Sequence, residues 1–331
     1  MKKFDLHLSK YGVSLGVKDG QFRISHPEHK QSIPANKISN IVLHKSCKIT
    51  GAAIKLALNH HIDISFVERD GFPFARIWDS KFGSIATVRR NQLSFSNSKE
   101  ALVWIKKIVE LKLQRHMGLI AELTKENKEN SREIEAYKIK SARYLASLLE
   151  FKTDDVNILR EKLLGWEAAA AKLHYKALNT FLPPAFQFHK RSKFPAEDPF
   201  NAVLNYCNGI LYNKIEGFMI RSGIDPQIGI FHRDQYKKPV LTYDFIECFR
   251  HWSEYVAVKC FSLKLLDARY FDDSGKGVRI IHKGKGIIIE VFFQYMNEKV
   301  VMKSNRKKRM DHIKSEIEEF ASSMKNYKLK R

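Results

Sequence analysis

The spacing of hydrophobic residues changes once along this 331-residue chain, close to residue 90. Before that point apolar and polar side chains alternate, as at Leu15 and Val17, and a second alternating run follows a turn at Asp19 and Gly20. A period of two is typical of β-strands, and a tight turn between two such runs indicates a hairpin. Residues 1–90 are therefore predicted to form a small β-rich domain with one short helix.

A helical period follows residues 91–98, which are polar and are predicted to be a linker. Apolar residues then recur at intervals of three and four, the spacing of one face of an amphipathic helix. That face comprises Leu102, Ile105, Val109, Leu113, Met117 and Ile120. Residues 99–302 are predicted to form a larger all-helical domain, with a late hairpin turning at residues 283–286. Residues 303–331 form a basic tail, helical or disordered, and the fold class is α+β.

The charge of the chain indicates its kind of partner. The formal net charge is +22, and basic residues outnumber acidic ones in residues 1–90, 91–302 and 303–331 alike. This distribution favours a polyanion bound over a wide surface, most simply nucleic acid, although a soluble protein of high pI is the alternative. No apolar run approaches the roughly 18 residues of a membrane span. Asp5, His7 and Lys10 interrupt the apolar core that a signal peptide would need, which makes secretion unexpected. Four widely spaced cysteines favour a cytoplasmic protein with reduced thiols.

Glu167 stands out on a predicted helix that begins after Asp155. It lies at the edge of an apolar face that includes Leu163 and Ala170. A carboxylate is unfavourable there unless a cation or a hydrogen-bond donor meets it. The sequence leaves three environments open for Glu167: a site with a function, a structural ion pair with Lys or Arg, and a rim position that turns to solvent.

A second group of polar residues surrounds His232, which closes a loop rich in Gly and Pro. Asp244 and Glu247 follow at helical i, i+3 spacing and share a face. One imidazole with two or three carboxylates suits Mg²⁺ or Mn²⁺ better than zinc, and metal-assisted phosphoryl transfer uses such a site. His174 and His251 have no matching acidic partner in the sequence and are interpreted as surface or core histidines.

Four segments occur in the order found in a known family: residues 165–168, 198–206, 223–232 and 244–250. The sequence resembles the CRISPR-associated integrase/endonuclease of the adaptation module, the metal-dependent subunit that inserts new spacers into repeat arrays. The resemblance covers nearly the whole chain. One departure follows Arg250, where the sequence His251-Trp252-Ser253-Glu254 replaces the usual Pro and following Asp.

The resemblance implies a β-rich N-terminal domain that dimerises and a helical catalytic domain with one divalent-metal site. It assigns Mg²⁺ or Mn²⁺ to Glu167, His232 and Glu247, and it makes Asp244 an auxiliary catalytic group. It further implies double-stranded DNA as substrate and a homodimer, with a small CRISPR-associated subunit bridging two dimers. A 3′-hydroxyl of a short foreign duplex would attack a repeat-boundary phosphate by transesterification.

Basic residues near these motifs are predicted to contact DNA; they are Arg89, Arg90, Arg221, Lys237, Lys238 and Arg250. Three other functions remain open at this stage. The chain is alternatively a non-catalytic DNA-binding scaffold of the same fold, a structure-selective nuclease acting on branched DNA in repair, or a transposon-type integrase.

Overall fold

The structure is a computed structural model that describes residues 3–27, 29–78, 86–127, 131–232, 235–236, 238–273, 275 and 277–328. The chain divides into two compact units, Met1–Gly83 and Ser84–Arg331. The first unit contains β1 (Phe4–Leu8), β2 (Ser14–Lys18), β3 (Gln21–His26), β4 (His29–Ile33), β5 (Ile38–His44), β6 (Lys48–Ile49), α1 (Gly51–Asn59), β7 (Asp63–Val67) and β8 (Pro73–Ile77).

Two four-stranded sheets build the first unit. One has the order β1-β5-β7-β8, with the first three strands parallel and β8 antiparallel; the other has the order β4-β3-β2-β6. Strands β2 and β3 form the predicted hairpin, and Asp19 and Gly20 both have positive φ, as a two-residue type I′ turn requires. Leu15, Phe22 and Ile38 are fully buried in the core shared by the sheets and α1.

The second unit is mostly helical. It contains α2 (Ala86–Ser96), α3 (Lys99–Asn127), α4 (Arg132–Glu150), α5 (Val156–Asn179), α6 (Pro199–Arg221), α7 (Val240–Glu247), α8 (Arg250–Ser262), β9 (Phe271–Asp273), β10 (Val278–Ile280), α9 (His282–Asn297), β11 (Lys299–Met302), β12 (Asn305–Lys308) and α10 (Arg309–Asn326). Helix α6 is buried along most of its length and packs against α7, α8, α9 and α10. The α+β class is thereby confirmed. Among the described residues, no helix is both long and apolar enough to cross a membrane.

Helix α2 occupies most of the segment predicted as a linker at residues 91–98. Its polar residues are held by backbone groups of other segments. The Gln92 side chain is fully buried; its Nε2 donates to the carbonyls of Asp225 (2.7 Å) and Ile228 (3.2 Å), and its Oε1 accepts from Asp225 N–H (3.0 Å). A polar stretch is therefore compatible with a packed helix, because each buried polar atom has a partner.

The C-terminal part also differs from the sequence prediction. The late hairpin is wrong at residues 283–286, which lie in helix α9, and the second unit is not all-helical, because β9 pairs with β10 and β11 with β12. Gly284 serves close packing: a Cβ there would lie 2.9 Å from Ile280 Cγ2 and 3.2 Å from Tyr270 Cβ. Within residues 303–331, the described part forms β12 and α10, and α10 packs against α2, α6 and α9.

Candidate active site

Glu167 lies on helix α5, which packs against α3 and α4. The helix begins where the sequence predicts, since the Asp155 carboxylate accepts hydrogen bonds from the N–H groups of Asn157 (2.7 Å) and Ile158 (3.1 Å). Leu163 is fully buried on the apolar face, and the Glu167 side chain is only 16% exposed. The carboxylate thus lies at the edge of the face and largely away from solvent.

Lys112 on α3 is the cation that meets this carboxylate. Its Nζ donates a hydrogen bond to Glu167 Oε1 and lies 2.5 Å from Glu247 Oε2, so one ammonium group joins two acidic side chains. Burial alone would lower the pKa of Lys112, but Glu247 and Glu167 raise it above its ordinary value. The ion pair that the sequence left open for Glu167 therefore exists, and its partner comes from a helix 55 residues away in the chain.

His232 is held in place by Asp244. The fully buried Asp244 carboxylate accepts the backbone N–H groups of Ile230 (3.0 Å), Phe231 (2.9 Å) and His232 (3.0 Å), and its Oδ1 lies 2.6 Å from His232 Nδ1. Burial would lower the pKa of His232, but the hydrogen bond to Asp244 and the charges of Asp244, Glu167 and Glu247 raise it. With Nδ1 engaged, Nε2 is the ring nitrogen left for a ligand.

Glu247 ends helix α7 and lies between two cations. Arg250 Nε lies 2.7 Å from Glu247 Oε1, opposite the Lys112 contact. Burial would raise the pKa of Glu247, but Arg250 and Lys112 lower it to about 2, so the group is ionised at neutral pH. The Oε2 atom is buried and has no partner in hydrogen-bonding geometry among the described residues, although Lys112 lies beside it as an ion pair.

These donors fit a divalent cation. Carboxylate oxygens of Glu167 and Glu247, on two helices, face one ammonium group, so a cation already occupies the space between them. In the part of the chain that the structure describes, Glu247 Oε2 has no hydrogen-bond partner. His232 adds one imidazole nitrogen, oriented by a carboxylate in the way that metal-ligating histidines usually are. Glu167, His232 and Glu247 thus carry the donor types that suit Mg²⁺ or Mn²⁺, with Asp244 as a positioning residue for His232 and Lys112 as the cation now between the carboxylates.

A second polar cluster lies deeper among the same helices. His116 on α3, His174 on α5 and Glu254 on α8 are all buried, and one ligand atom from each lies within 4.8 Å of the others. Burial and the neighbouring His174 hold the pKa of His116 well below its ordinary value, whereas the two histidines lower the pKa of Glu254 against the effect of burial. His174 is a core histidine as interpreted, but its acidic partner exists 80 residues away.

Three predicted DNA contacts have the following surroundings. Arg89 lies 3.9 Å from the Asp225 carboxylate, with both side chains partly exposed. Arg90 is exposed on α2. Arg221 ends α6, is exposed, and has its guanidinium 5.1 Å from the centre of the Phe218 ring. All three positions are compatible with contact to a phosphate, which remains a prediction.

The other three predicted contacts differ from one another. Lys238 is exposed and donates a hydrogen bond to Gln235 Oε1 (2.8 Å). Lys237 lies outside the described residues. Arg250 is turned towards Glu247, and its side chain is 15% exposed. This placement favours a role for Arg250 in balancing the acidic site over a role at the surface.

The chain matches the family model described as CRISPR associated protein Cas1 over residues 6–294. A relative from Saccharolobus solfataricus, described as a CRISPR-associated endonuclease, is 26% identical over 329 residues, which is 98% of this chain and 95% of the relative. A CRISPR-associated endonuclease from Archaeoglobus fulgidus is 24% identical over 251 residues, 72% of each chain.

Solved structures share the fold. A casposase bound to integration product superposes with a TM-score of 0.84 at 20% identity, covering 100% of this chain and 92% of that one. A Cas1 protein from Thermotoga maritima gives a TM-score of 0.80 at 17% identity, covering 97% of both. Because the family model spans most of the sequence and relatives named as endonucleases align along it, the chain belongs to the Cas1 family of CRISPR-associated nucleases.

Proposed function

We propose that this chain is a metal-dependent DNA endonuclease and integrase, which inserts short foreign duplexes as new spacers into a CRISPR repeat array. The observation that carries the proposal is the convergence of the Glu167 and Glu247 carboxylates on Lys112, beside a histidine oriented by Asp244. Such a set of oxygen and imidazole donors supports the coordination of Mg²⁺ or Mn²⁺. The bound ion would activate a hydroxyl nucleophile and neutralise charge on the reacting phosphate.

The side chains have distinct roles in this proposal. Glu167, Glu247 and His232 Nε2 hold the ion, while Asp244 fixes the ring of His232 and the loop before it. Arg250 keeps Glu247 ionised, since its charge lowers the pKa of that carboxyl group. Residues that position the reacting groups in line lower the activation barrier to phosphoryl transfer, because the reactants no longer have to find this geometry by chance.

The reaction is a transesterification. The 3′-oxygen of the incoming duplex forms a bond to the phosphorus at the repeat boundary, and the bond from that phosphorus to the 3′-oxygen of the neighbouring nucleotide breaks. The attacking hydroxyl loses its proton and the departing 3′-oxygen gains one. One phosphodiester replaces another, so no nucleotide triphosphate is consumed.

The net charge of +22 supports a DNA substrate, because Lys and Arg bind phosphates irrespective of sequence. In this proposal Arg89, Arg90, Arg221 and Lys238 contact DNA phosphates, and Lys237, which lies outside the described residues, stays a prediction from the sequence. We further propose that the β-rich unit mediates a homodimer in the cytoplasm and that a small CRISPR-associated subunit bridges two dimers. Support comes from a structure described as a Cas6-RT-Cas1–Cas2 complex, which has the same fold with a TM-score of 0.79.

The test is a joining assay with the purified chain and its partner subunit. A fluorescent short duplex with 3′-hydroxyl ends is incubated with a supercoiled plasmid carrying a leader and a repeat, in Mg²⁺ or Mn²⁺. The expected result is labelled plasmid that disappears with EDTA and with Glu167→Gln or His232→Ala. Loss of a ligand should lower the rate by about 100-fold or more, because the metal supplies several kcal/mol of stabilisation.

The matched control is the same duplex with 3′-deoxy ends, which lacks the nucleophile and should give no joined product. Joining that survives both substitutions would show that the site is assigned wrongly. A transposon-type integrase is the second candidate, since a casposase has this fold with a TM-score of 0.84. Joining that is equally frequent in plasmids without a repeat would favour it, and cleavage confined to branched DNA would favour a repair nuclease.

A further inference from the structure

The buried cluster of His116, His174 and Glu254 has no role in the reaction proposed above. Their exposed fractions are 5%, 1% and 0%, so the cluster is enclosed by protein. It also lies on the faces that carry the candidate active site. His116 follows Lys112 by four residues on α3, and His174 follows Glu167 by seven on α5, so about one or two helical turns separate the two clusters.

The ligand atoms of this cluster are already spaced as a metal requires. Glu254 Oε2 lies 2.9 Å from His174 Nε2 and 3.6 Å from His116 Nε2. Two ligands bound to one tetrahedral ion at about 2.0–2.1 Å lie roughly 3.3 Å apart. The two observed distances fall on either side of that value, so binding of all three atoms to one ion requires the stacked rings to rotate out of their nearly parallel planes.

Hydrogen bonding leaves part of the cluster unsatisfied. His116 Nε2 and His174 Nδ1 are buried atoms without a hydrogen-bond partner among the described residues. The two imidazole rings stack with centroids 4.0 Å apart and planes 9° from parallel, while Glu254 Oε2 meets only one of them within hydrogen-bonding distance. A single carboxylate oxygen thus serves two rings, and a cation would serve both rings and the carboxylate.

Tyr175 and a small cavity adjoin the cluster. Tyr175 donates its hydroxyl hydrogen to the other oxygen, Glu254 Oε1, at 3.2 Å, which fixes the orientation of the carboxylate. His116 also lines a small cavity of about 10 Å³, shared with Lys112, Glu167 and Trp166, with room for about one water molecule.

We propose that His116, His174 and Glu254 form a second metal site, which takes a transition-metal cation of the Zn²⁺ type. Two imidazoles and one carboxylate are a donor set typical of zinc. The candidate active site has the opposite balance, one imidazole and two carboxylates, which suits Mg²⁺ or Mn²⁺. The second ion would tie α3, α5 and α8 together, and its existence does not depend on the proposed integrase activity.

The test uses Co²⁺, whose visible absorption reports tetrahedral coordination by nitrogen and oxygen. The full-length protein is stripped with EDTA, titrated with Co²⁺ and then challenged with Zn²⁺ or Mg²⁺. We expect about one equivalent of Co²⁺ to give visible bands that Zn²⁺ abolishes and excess Mg²⁺ leaves unchanged. Metal analysis after dialysis should find about one equivalent of zinc in the protein refilled with Zn²⁺.

Variants locate the ion. Glu167→Gln, in the candidate active site, and His189→Gln, at an exposed histidine, should keep the bands, whereas His174→Gln and Glu254→Gln should lose them. Circular dichroism shows whether each variant folds. If His174→Gln and Glu254→Gln do not fold, the proposal is tested by the titrations of the unsubstituted protein and of Glu167→Gln. The proposal is overturned if the unsubstituted protein shows no Co²⁺ bands, if a folded His174→Gln protein keeps them, or if Glu167→Gln removes them.

Discussion

Replacing Lys112 with Met tests whether the acidic pair of the candidate active site is built for a cation. The Lys112 side chain is 11% exposed and contacts both Glu167 and Glu247, whose side chains are 16% and 9% exposed. Methionine has a similar volume but no charge, so the variant retains two partly buried carboxylates that Arg250 and His232 still oppose. Breaking a buried ion pair from one side typically destabilises a protein by about 3–5 kcal/mol.

In a unit of this size, a loss of about 3–5 kcal/mol corresponds to a fall of roughly 6–20 °C in the unfolding temperature. Mn²⁺ should raise the unfolding temperature more in Lys112→Met than in the unsubstituted protein, because in the variant the ion binds the carboxylates without displacing an ammonium group.

The measurement is thermal unfolding followed by circular dichroism, with and without Mn²⁺. Lys107→Met is the matched control, since Lys107 lies on the same helix but is exposed, and its replacement should change stability by less than about 0.5 kcal/mol. The reasoning is refuted if Lys112→Met unfolds at the same temperature as Lys107→Met, or if Mn²⁺ stabilises the two variants equally.

Two further predictions concern Asp244, which holds the loop before His232, and Gly284, which lies close to Ile280. Asp244→Asn replaces an acceptor of three backbone N–H groups by an amide whose NH₂ faces those donors, so joining and metal affinity should fall about 10–100-fold. Asp225→Asn, in the loop that leads to His232, should keep both, and equal effects of the two substitutions would contradict the positioning role of Asp244. Gly284→Ala places a Cβ within 2.9 Å of Ile280 and should destabilise the protein by about 1–3 kcal/mol. Gly286→Ala on the same helix meets no atom within 4 Å and should be neutral or stabilising by up to about 1 kcal/mol; denaturant unfolding compares the two, and equal losses would disprove the packing argument.

Local signals in the sequence were sufficient where structure depends on neighbours in the chain. The Asp19–Gly20 turn, the start of α5 after Asp155 and the edge position of Glu167 all follow from spacing and capping, and the structure contains them. The family resemblance then singled out Glu167, His232 and Glu247 as ligands. Their joint role as a metal site remains a proposal, supported by the convergence of two of them on Lys112.

Helix α9 shows where local signals fail. Its sequence combines two glycines with a run of β-branched isoleucines, which locally favours a strand and a turn. The structure instead buries Ile288 and Phe292, four residues apart, on one helical face, and stacks Tyr295 on Tyr255 of α8 with ring centres 4.6 Å apart. Packing against α8 thus determines the helix, and that contact is invisible in a window of neighbouring residues.

The polar residues of the two clusters show the same limit more sharply. Lys112 and His116 lie at helical spacing on the buried face of α3. The sequence shows that these two polar residues share that face, but it does not show which residues they contact. Glu254 lies in the four residues after Arg250, where the sequence departs from the family pattern, so the resemblance could not assign it either.

Only the packing of α3, α5 and α8 brings these groups together. A spacing of four residues on α3 and of seven on α5 advances each helix by about one or two turns, roughly 6 and 10 Å, and returns to the same face. The register that places Lys112 against Glu167 therefore also places His116 against His174. Because one helix register builds both clusters, an ion that fixes the deeper cluster also fixes the side chains on which the candidate active site depends.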